Sequence, residues 1–233
     1  MPSRVSISTA RSAFRFDFDF GRSVLEAAMR ALGDILYNFH WIVPGKAARA
    51  AQSYAGFLGP FLGRHRIAAV INLRGPNPDW RWWHYEKRVC AKRGISHFDA
   101  MLSSKRLPTR RMLTDLFAAF DAAPAPLLLK CSGGQDRTSF AAALYLLHTK
   151  GWGAIEEARG QFARWPYLHL PKPHQRWLRL FPDFAQQESA GRPLGEWIAQ
   201  DYAPKKLKAW LDAQGMGDAF RGLYDKPGTA PGI

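Results

Sequence analysis

Cysteine is nearly absent from this chain: Cys90 and Cys131 are the only two among 233 residues. They could form one bridge at most, so no disulfide framework holds the fold. No apolar run reaches the ~18 residues that a membrane-spanning helix needs. Residues 1–22 lack the apolar stretch of a secretory signal. The seven histidines form no His-x-x-x-His pair, and no Cys-x-x-Cys occurs, so no metal site is expected. Neither a Walker loop nor a dinucleotide-binding loop is present, so no cofactor is expected. These gaps exclude a disulfide scaffold. The expected setting is the reducing cytoplasm.

Acidic side chains are also scarce, 19 against 33 Lys plus Arg, which leaves a net charge of +14. The excess is local. Residues 41–150 hold 17 basic and 6 acidic side chains, while the flanking regions are close to balanced. A positive field of this kind attracts nucleic acid, anionic membrane or phosphorylated substrate. Hydrophobic residues make up 47% and charged residues 22% of the chain, an ordinary globular balance.

The pattern of apolar residues predicts an α/β fold. Val24, Leu25, Ala28, Met29, Leu32, Ile35 and Leu36 recur at helical spacing. The opposite face of that helix carries both signs of charge, so it reads as a packing helix. The core domain begins near Pro44–Gly45. Residues 66–73 read as a buried strand ending at Arg74-Gly75-Pro76, and residues 95–102 and 127–131 as further strands. Helices are predicted over 82–92, after Pro108, and over 139–148, the last apolar on nearly every side. Alternating strands and helices imply a central, mostly parallel sheet flanked by helices. From Trp152 to about Phe220 the chain reads as short helices. The expected organisation is an N-terminal segment over 1–37, a core over 38–150, and a helical extension over 151–233 that packs on the core.

The segment Leu127-Leu-Leu-Lys-Cys131-Ser-Gly-Gly-Gln-Asp-Arg137-Thr138 carries the chemistry. A loop between a buried strand and a buried helix can turn its amides toward one centre and form an anion cup at the helix N-terminus. Gly133 and Gly134 permit the positive φ angles such a curl needs. Arg137 offers a planar fork for two phosphate oxygens. The amides of Ser132, Gly133, Gly134, Gln135 and Asp136 are the expected phosphate ligands beside it. Cys131 ends the strand facing the same cup, where the positive surroundings favour thiolate over thiol. A thiolate can attack phosphorus and give a phosphocysteine that water then hydrolyses. The Thr138 hydroxyl can donate to the departing thiolate.

This segment resembles the signature loop of cysteine-dependent protein tyrosine and dual-specificity phosphatases, His-Cys-x-x-Gly-x-x-Arg-Ser/Thr. Cys131, Gly134, Arg137 and Thr138 match it. Its Gln-Asp-Arg-Thr end is similar to the Lys-Asp-Arg-Thr variant of bacterial and lipid-acting members. Residues 38–45, Arg49-Ala-Ala-Gln52 and residues 70–74 resemble the opening of compact bacterial dual-specificity-like phosphatases. The usual His before the nucleophile is Lys130 here, which either adds positive potential or points away. The resemblance implies a phosphatase that needs no metal or cofactor and acts on phosphorylated protein. Alternatives are a phosphatase of phosphoinositide, another phospholipid or a phosphorylated saccharide. More remote is an inert phosphate-binding or nucleic-acid-binding module. No specific nucleic-acid signature is present, and the basic surface allows peripheral contact with anionic membrane.

The resemblance also implies a general acid about thirty residues before the nucleophile. Asp99, 32 residues before Cys131, fits and is placed narrowly ahead of Asp136, inside the loop. Arg74 ends a strand, where ligands bind in open α/β sheets. The aromatic-basic run Trp80-Arg-Trp-Trp-His-Tyr85 either stacks on substrate or packs as a helix. Arg106, Arg110 and Arg111 either rim the pocket or start an exposed helix.

Overall fold

The structure is a computed structural model that describes residues 32–53 and 56–224. The chain divides into two compact units, residues 1–36 and 37–233. Of the first, residues 32–36 are helical. The rest of the amphipathic segment expected from Val24 lies outside the described residues.

The second unit is built on a five-stranded sheet. Its strands are β1 (His40–Val43), β2 (Ala47–Ala50), β3 (Ala69–Asn72), β4 (Ser96–Asp99) and β5 (Leu127–Lys130). They run in the order β1-β2-β5-β3-β4. Only β1 is antiparallel, paired with β2; β2, β5, β3 and β4 are parallel. The carboxyl ends of the parallel strands therefore share one edge, where α/β proteins build their sites.

Each crossover is short. Helix α1 (Leu58–Arg64) precedes β3, α2 (Arg81–Lys92) joins β3 to β4, α3 (Arg110–Ala122) joins β4 to β5, and α4 (Asp136–Lys150) follows β5. Thr109 caps α3 by accepting from the Met112 amide at 3.2 Å. Gly151, at φ +72°, ends α4. The hairpin β1–β2 was not foreseen. Its second strand, Ala47-Ala-Arg-Ala50, has none of the β-branched residues that mark a strand.

Strand alternation sorts the side chains onto two faces. Ala47, Ala69, Ile71, Leu127 and Leu129 face the larger core, and Ala48, Ala50, Val70 and Leu128 face a smaller one. Every residue of α4 from Thr138 to Leu147 is buried, because this helix is covered on all sides. Three more helices pack on it, α5 (Ile155–Gly160), α6 (Trp177–Ser189) and α7 (Leu194–Gln200), and α8 (Pro204–Ala213) packs in turn on α6. Their aromatic residues reach the same core. Phe140 meets Trp177 and Phe181 edge-on at 5.2 and 5.1 Å, and Phe184 meets Trp197 at 5.7 Å. The tail then returns to the connection after β4: Leu107 and residue 223 form a parallel bridge, and the Arg221 amide donates to the Lys105 carbonyl at 2.6 Å. Among the described residues, no helix is long and apolar enough to cross a membrane.

Phe140 joins α4 to α6 through edge-on contacts with two rings of that helix and is fully buried. Phe140→Ala should cost about 3–5 kcal/mol. Urea unfolding should show a lowered midpoint at an unchanged slope. A loss below about 1 kcal/mol would mean that the two layers are not packed through this ring.

Candidate active site

Cys131 follows the last residue of β5 and faces the α4 side of the sheet with Leu127 and Leu129. Five residues later α4 begins, at Asp136. The first turn of that helix supplies Thr138, whose hydroxyl donates to the Cys131 sulfur at 3.1 Å. The amides of Gly134 and Gln135 donate to the same sulfur.

Burial by itself would push the Cys131 thiol up. The Arg137 charge, the Thr138 hydroxyl and the two amides outweigh it and hold the pKa below the ordinary thiol value. Cys90 shows the opposite case. Burial, and then the Glu86 carboxylate, push its thiol up to about 12. Both cysteines are free. Two buried thiols in one chain thus differ in kind because only one faces the cup.

The loop amides turn inward because the carbonyls are drawn outward. In a trans peptide the carbonyl and the following N–H point in opposite directions. The Ser132 carbonyl accepts from the Gln52 amide at 3.0 Å. Asn38 Nδ2 donates to the carbonyls of Gly133 at 3.4 Å and Gly134 at 3.1 Å. Arg49 Nη2 donates to the Gly134 carbonyl at 3.1 Å and to Ser139 Oγ at 2.8 Å. With three successive carbonyls held by the scaffold, the amides of Gly133, Gly134 and Gln135 are left for the cup.

Arg49 is fully buried. Its other nitrogen donates to the carbonyl and side-chain oxygens of Gln161 at 3.1 and 3.0 Å, and its guanidinium lies 4.1 Å over the Tyr167 ring. Burial lowers its pKa to about 10, so it stays charged at neutral pH.

The two glycines were expected to share the curl. Only Gly134 has a positive φ, +64°. A Cβ there would meet the Ala51 nitrogen at 2.6 Å and the Ala50 carbonyl carbon at 2.7 Å. The backbone of the loop passes directly against the chain leaving β2, and only glycine fits. A Cβ on Gly133 would find nothing closer than Gln135 at 3.7 Å.

The remaining expected residues fall in different places. Arg137 sits in the first turn of α4 and reaches Ser132 Oγ at 3.4 Å. Asp136, with a side chain 23% exposed, accepts from Gln175 Nε2 at 3.0 Å and lies 3.4 Å from His169 Nδ1. Burial raises the Asp136 carboxyl above the ordinary carboxylate value against the pull of Arg137, Gln175 and Lys172. Asp99 closes β4, and its oxygens are taken as acceptors. Asn72 Nδ2 donates to it at 2.7 Å, and Trp83 Nε1 donates to both oxygens at 3.1 Å.

Lys130 points away from the cup, as strand alternation requires. Its Nζ lies 2.5 Å from Glu86 Oε2 and 2.6 Å from Gln52 Oε1, fully enclosed under α2. His97 completes this network on the other Glu86 oxygen at 2.9 Å. Arg74 lies over the Trp82 and Trp80 rings, 4.0 and 4.8 Å from their centres. Arg110 does not rim a pocket: its Nε donates to the Tyr202 carbonyl at 2.8 Å. Arg111 forms an exposed pair with Asp115.

Residues that the loop sequence did not reveal come from far along the chain. Gln161, Tyr167, His169 and Gln175 all belong to the segment after α4. His169 and Gln175 reach Asp136, and Gln161 and Tyr167 reach Arg49, all across tens of residues, and no local pattern announces them. Arg49 carries one signal, a cation inside an alanine run.

No protein-family model matches this sequence, and no curated protein sequence does. Among solved structures, the chain is similar to TpbA of P. aeruginosa, at 16% identity over 76% of this chain and 91% of that one, with a TM-score of 0.45. It is similar to the core catalytic domain of the PP-IP phosphatase SIW14 of S. cerevisiae, at 15% identity over 77% and 93%, TM-score 0.48. PTPMT1 matches at 15% identity over 66% and 99%, TM-score 0.48.

The glycine geometry makes a paired prediction. Gly134→Ala should destabilise the fold by at least about 1–2 kcal/mol from the left-handed backbone alone, with the backbone clash added. It should also abolish vanadate binding. Gly133→Ala should leave both within about twofold. Thermal melts and vanadate titration measure the two effects, and equal behaviour of the two variants would contradict this loop geometry.

Cysteine alkylation tests the sulfur. Iodoacetamide should modify Cys131 with a pH midpoint below that of a free thiol, because the thiolate persists as pH falls to its lowered pKa. Cys90 should remain unmodified. Mass spectrometry over a pH series reads both sites.

Proposed function

We propose that this chain is a cysteine-dependent phosphatase that hydrolyses phosphomonoesters through a phosphocysteine at Cys131. The observation that carries the reading is a buried sulfur held below the ordinary thiol pKa at the centre of an amide cup, with Arg137 beside it.

In the first step the Arg137 fork and the loop amides hold the three non-bridging oxygens of the phosphate. The Cys131 thiolate attacks phosphorus in line with the ester oxygen. The S–P bond forms as the P–O bond breaks, and the leaving oxygen takes a proton from a carboxylic acid. In the second step water attacks phosphorus, its proton returns to that carboxylate, and the P–S bond breaks. Inorganic phosphate leaves. The Thr138 hydroxyl stabilises the thiolate as it is expelled.

We place the acid at Asp136 rather than Asp99. Asp136 lies in the loop itself, is partly exposed, and is held toward its protonated form by burial. Asp99 is engaged by Asn72 and Trp83, which suits a residue that fixes α2 to the end of β3.

Phosphotyrosine and phosphothreonine of proteins are the first substrate class this reading admits. Phosphorylated lipids and saccharides are the second, favoured by the basic excess in residues 41–150.

Cys131→Ser should abolish hydrolysis of p-nitrophenyl phosphate while phosphate binding persists; substantial turnover would remove the phosphocysteine from the mechanism. Asp136→Asn should cost ~10²–10⁴-fold in kcat/KM on phenyl phosphate, a poor leaving group, and far less on p-nitrophenyl phosphate. Asp99→Asn should affect both substrates alike. The reverse pattern would move the acid to Asp99.

The pH profile follows from the same groups. Activity should rise as pH passes the lowered Cys131 pKa and the thiolate forms. It should fall again as Asp136 loses its proton, above the ordinary carboxylate range. Asp136→Asn should flatten that basic limb on phenyl phosphate.

A further inference from the structure

The cup does not account for a group of basic side chains gathered at its Asp136 edge. Gln175 anchors the arrangement. Its Nε2 donates to Asp136 Oδ2 and to Ser104 Oγ, both at 3.0 Å. Gln175 thereby fixes its neighbours His174 and Lys172 beside the loop. Ser104 does the same for Lys105, which follows it in the connection leaving the carboxyl edge of the sheet. Arg221 is held alongside by its amide, which donates to the Lys105 carbonyl at 2.6 Å. Three separate stretches of chain thus bring Lys105, Lys172, His174 and Arg221 to one place.

These groups act on one another. His174 is held below its ordinary pKa, by desolvation and then by the charges of Arg221, Lys105 and Lys172. Its Nε2 is buried with no hydrogen-bond partner. Lys172 also acts on Asp136, so the cluster adjoins the cup. Among the described residues neither Lys105 nor Arg221 forms an ion pair with a carboxylate, and Lys172 has only its longer-range interaction with Asp136. Asp218, in the same tail, is engaged by Arg176 at 2.6 and 2.8 Å. Lys105, Lys172 and Arg221 thus gather around His174 with only the Asp136 carboxyl acting on Lys172, and this excess of positive charge is relieved when an anion joins it.

We propose that Lys105, Lys172, His174 and Arg221 form a second anion subsite, which takes a further phosphate group of a substrate whose reacting phosphate lies at Cys131 and Arg137. The substrate class is a polyol headgroup carrying two or more phosphates, free or on a lipid. The proposal rests on the phosphatase reading and narrows it. A phosphate dianion has three oxygens and can take several donors at once, which suits cations converging from three directions. A single peptide carboxylate takes one fork. Because Lys172 acts on both Asp136 and His174, the two sites adjoin, as suits phosphates on one small ring. A second phosphate bound there sits on the Asp136 side, which directs the scissile oxygen toward the acid.

The test uses the full chain carrying Cys131→Ser, so that binding is read without turnover. Calorimetry compares an inositol monophosphate with an inositol bisphosphate. The bisphosphate should bind about tenfold more tightly, the effect of one or two charge-assisted contacts. Adding Lys105→Ala and Arg221→Ala should erase that preference and leave monophosphate binding unchanged. In the active protein the same two substitutions should raise KM for the bisphosphate about tenfold. They should leave p-nitrophenyl phosphate hydrolysis unchanged, which also shows that the variant is folded.

Phosphatidylcholine vesicles carrying a phosphatidylinositol bisphosphate form a second arm. A preference seen with the soluble headgroup identifies a free polyol substrate, and one seen only with vesicles identifies the lipid; either upholds the subsite. Equal affinity for mono- and bisphosphate in both arms would overturn it. So would a loss in the double variant confined to acidic phosphopeptides. Should the active protein hydrolyse nothing, including p-nitrophenyl phosphate, the phosphatase reading fails, and the calorimetric preference still decides the subsite.

Discussion

A buried sulfur at the end of a hydrophobic strand, held below the ordinary thiol pKa, is the constraint on which this structure turns. A buried anion is costly unless donors surround it. Here those donors are two loop amides, one hydroxyl and one neighbouring guanidinium. Each requirement reaches outward. The amides turn inward only because Asn38, Arg49 and the Gln52 amide hold the loop carbonyls. Arg49 can lie buried in that position because Gln161 and Ser139 accept from its two terminal nitrogens and Tyr167 lies beneath it. Gly134 is needed because the loop must press against the backbone leaving β2. The hairpin β1–β2 and the segment after α4 are therefore parts of the site's support as much as parts of the fold.

The opposite face of β5 carries a second charge arrangement, one residue earlier. Lys130, Glu86, Gln52 and His97 form a closed network beneath α2. Asp99 adds a parallel tie, joining Trp83 of α2 to Asn72 of β3. Together they seat α2 against the strands whose ends frame the cup. Lys130 also lies 4.7 Å from the centre of the Trp82 ring. The lysine that replaces a histidine in the resembled loop pattern thus addresses the helix, and the thiolate is left to Thr138 and the amides. Neighbouring residues of one strand serve separate networks because a strand sends successive side chains to opposite faces.

Several features were legible without coordinates because they are local. Loop chemistry needs Cys131, Gly134, Arg137 and Thr138 close together, and they lie within eight positions of one another. The strands ending at Asn72 and Lys130 are short apolar runs bounded by turn residues, and α4 is apolar all round because it is covered all round. The hairpin was not legible, since alanines carry little strand signal and its pairing is decided by what lies beside it. The choice of acid was not legible either. Asp99 and Asp136 are the same side chain, and only their surroundings distinguish an acceptor bound by Trp83 and Asn72 from a carboxyl raised by burial.

By itself, then, the sequence determined the α/β class and the position of the loop between β5 and α4 that carries Cys131, Gly134, Arg137 and Thr138. Those follow from periodicity and from residues adjacent along the chain. Only the tertiary structure decided which way Lys130 points, that Gly134 alone carries the left-handed turn, and that Arg49 and Asn38 hold the loop open. It also decided that Lys105, Lys172, His174 and Arg221 meet at one edge. Hydrogen bonds and charges act through space over a few ångströms, and a folded chain brings residues 38, 49, 134 and 161 within that range of one another's partners when no stretch of sequence does.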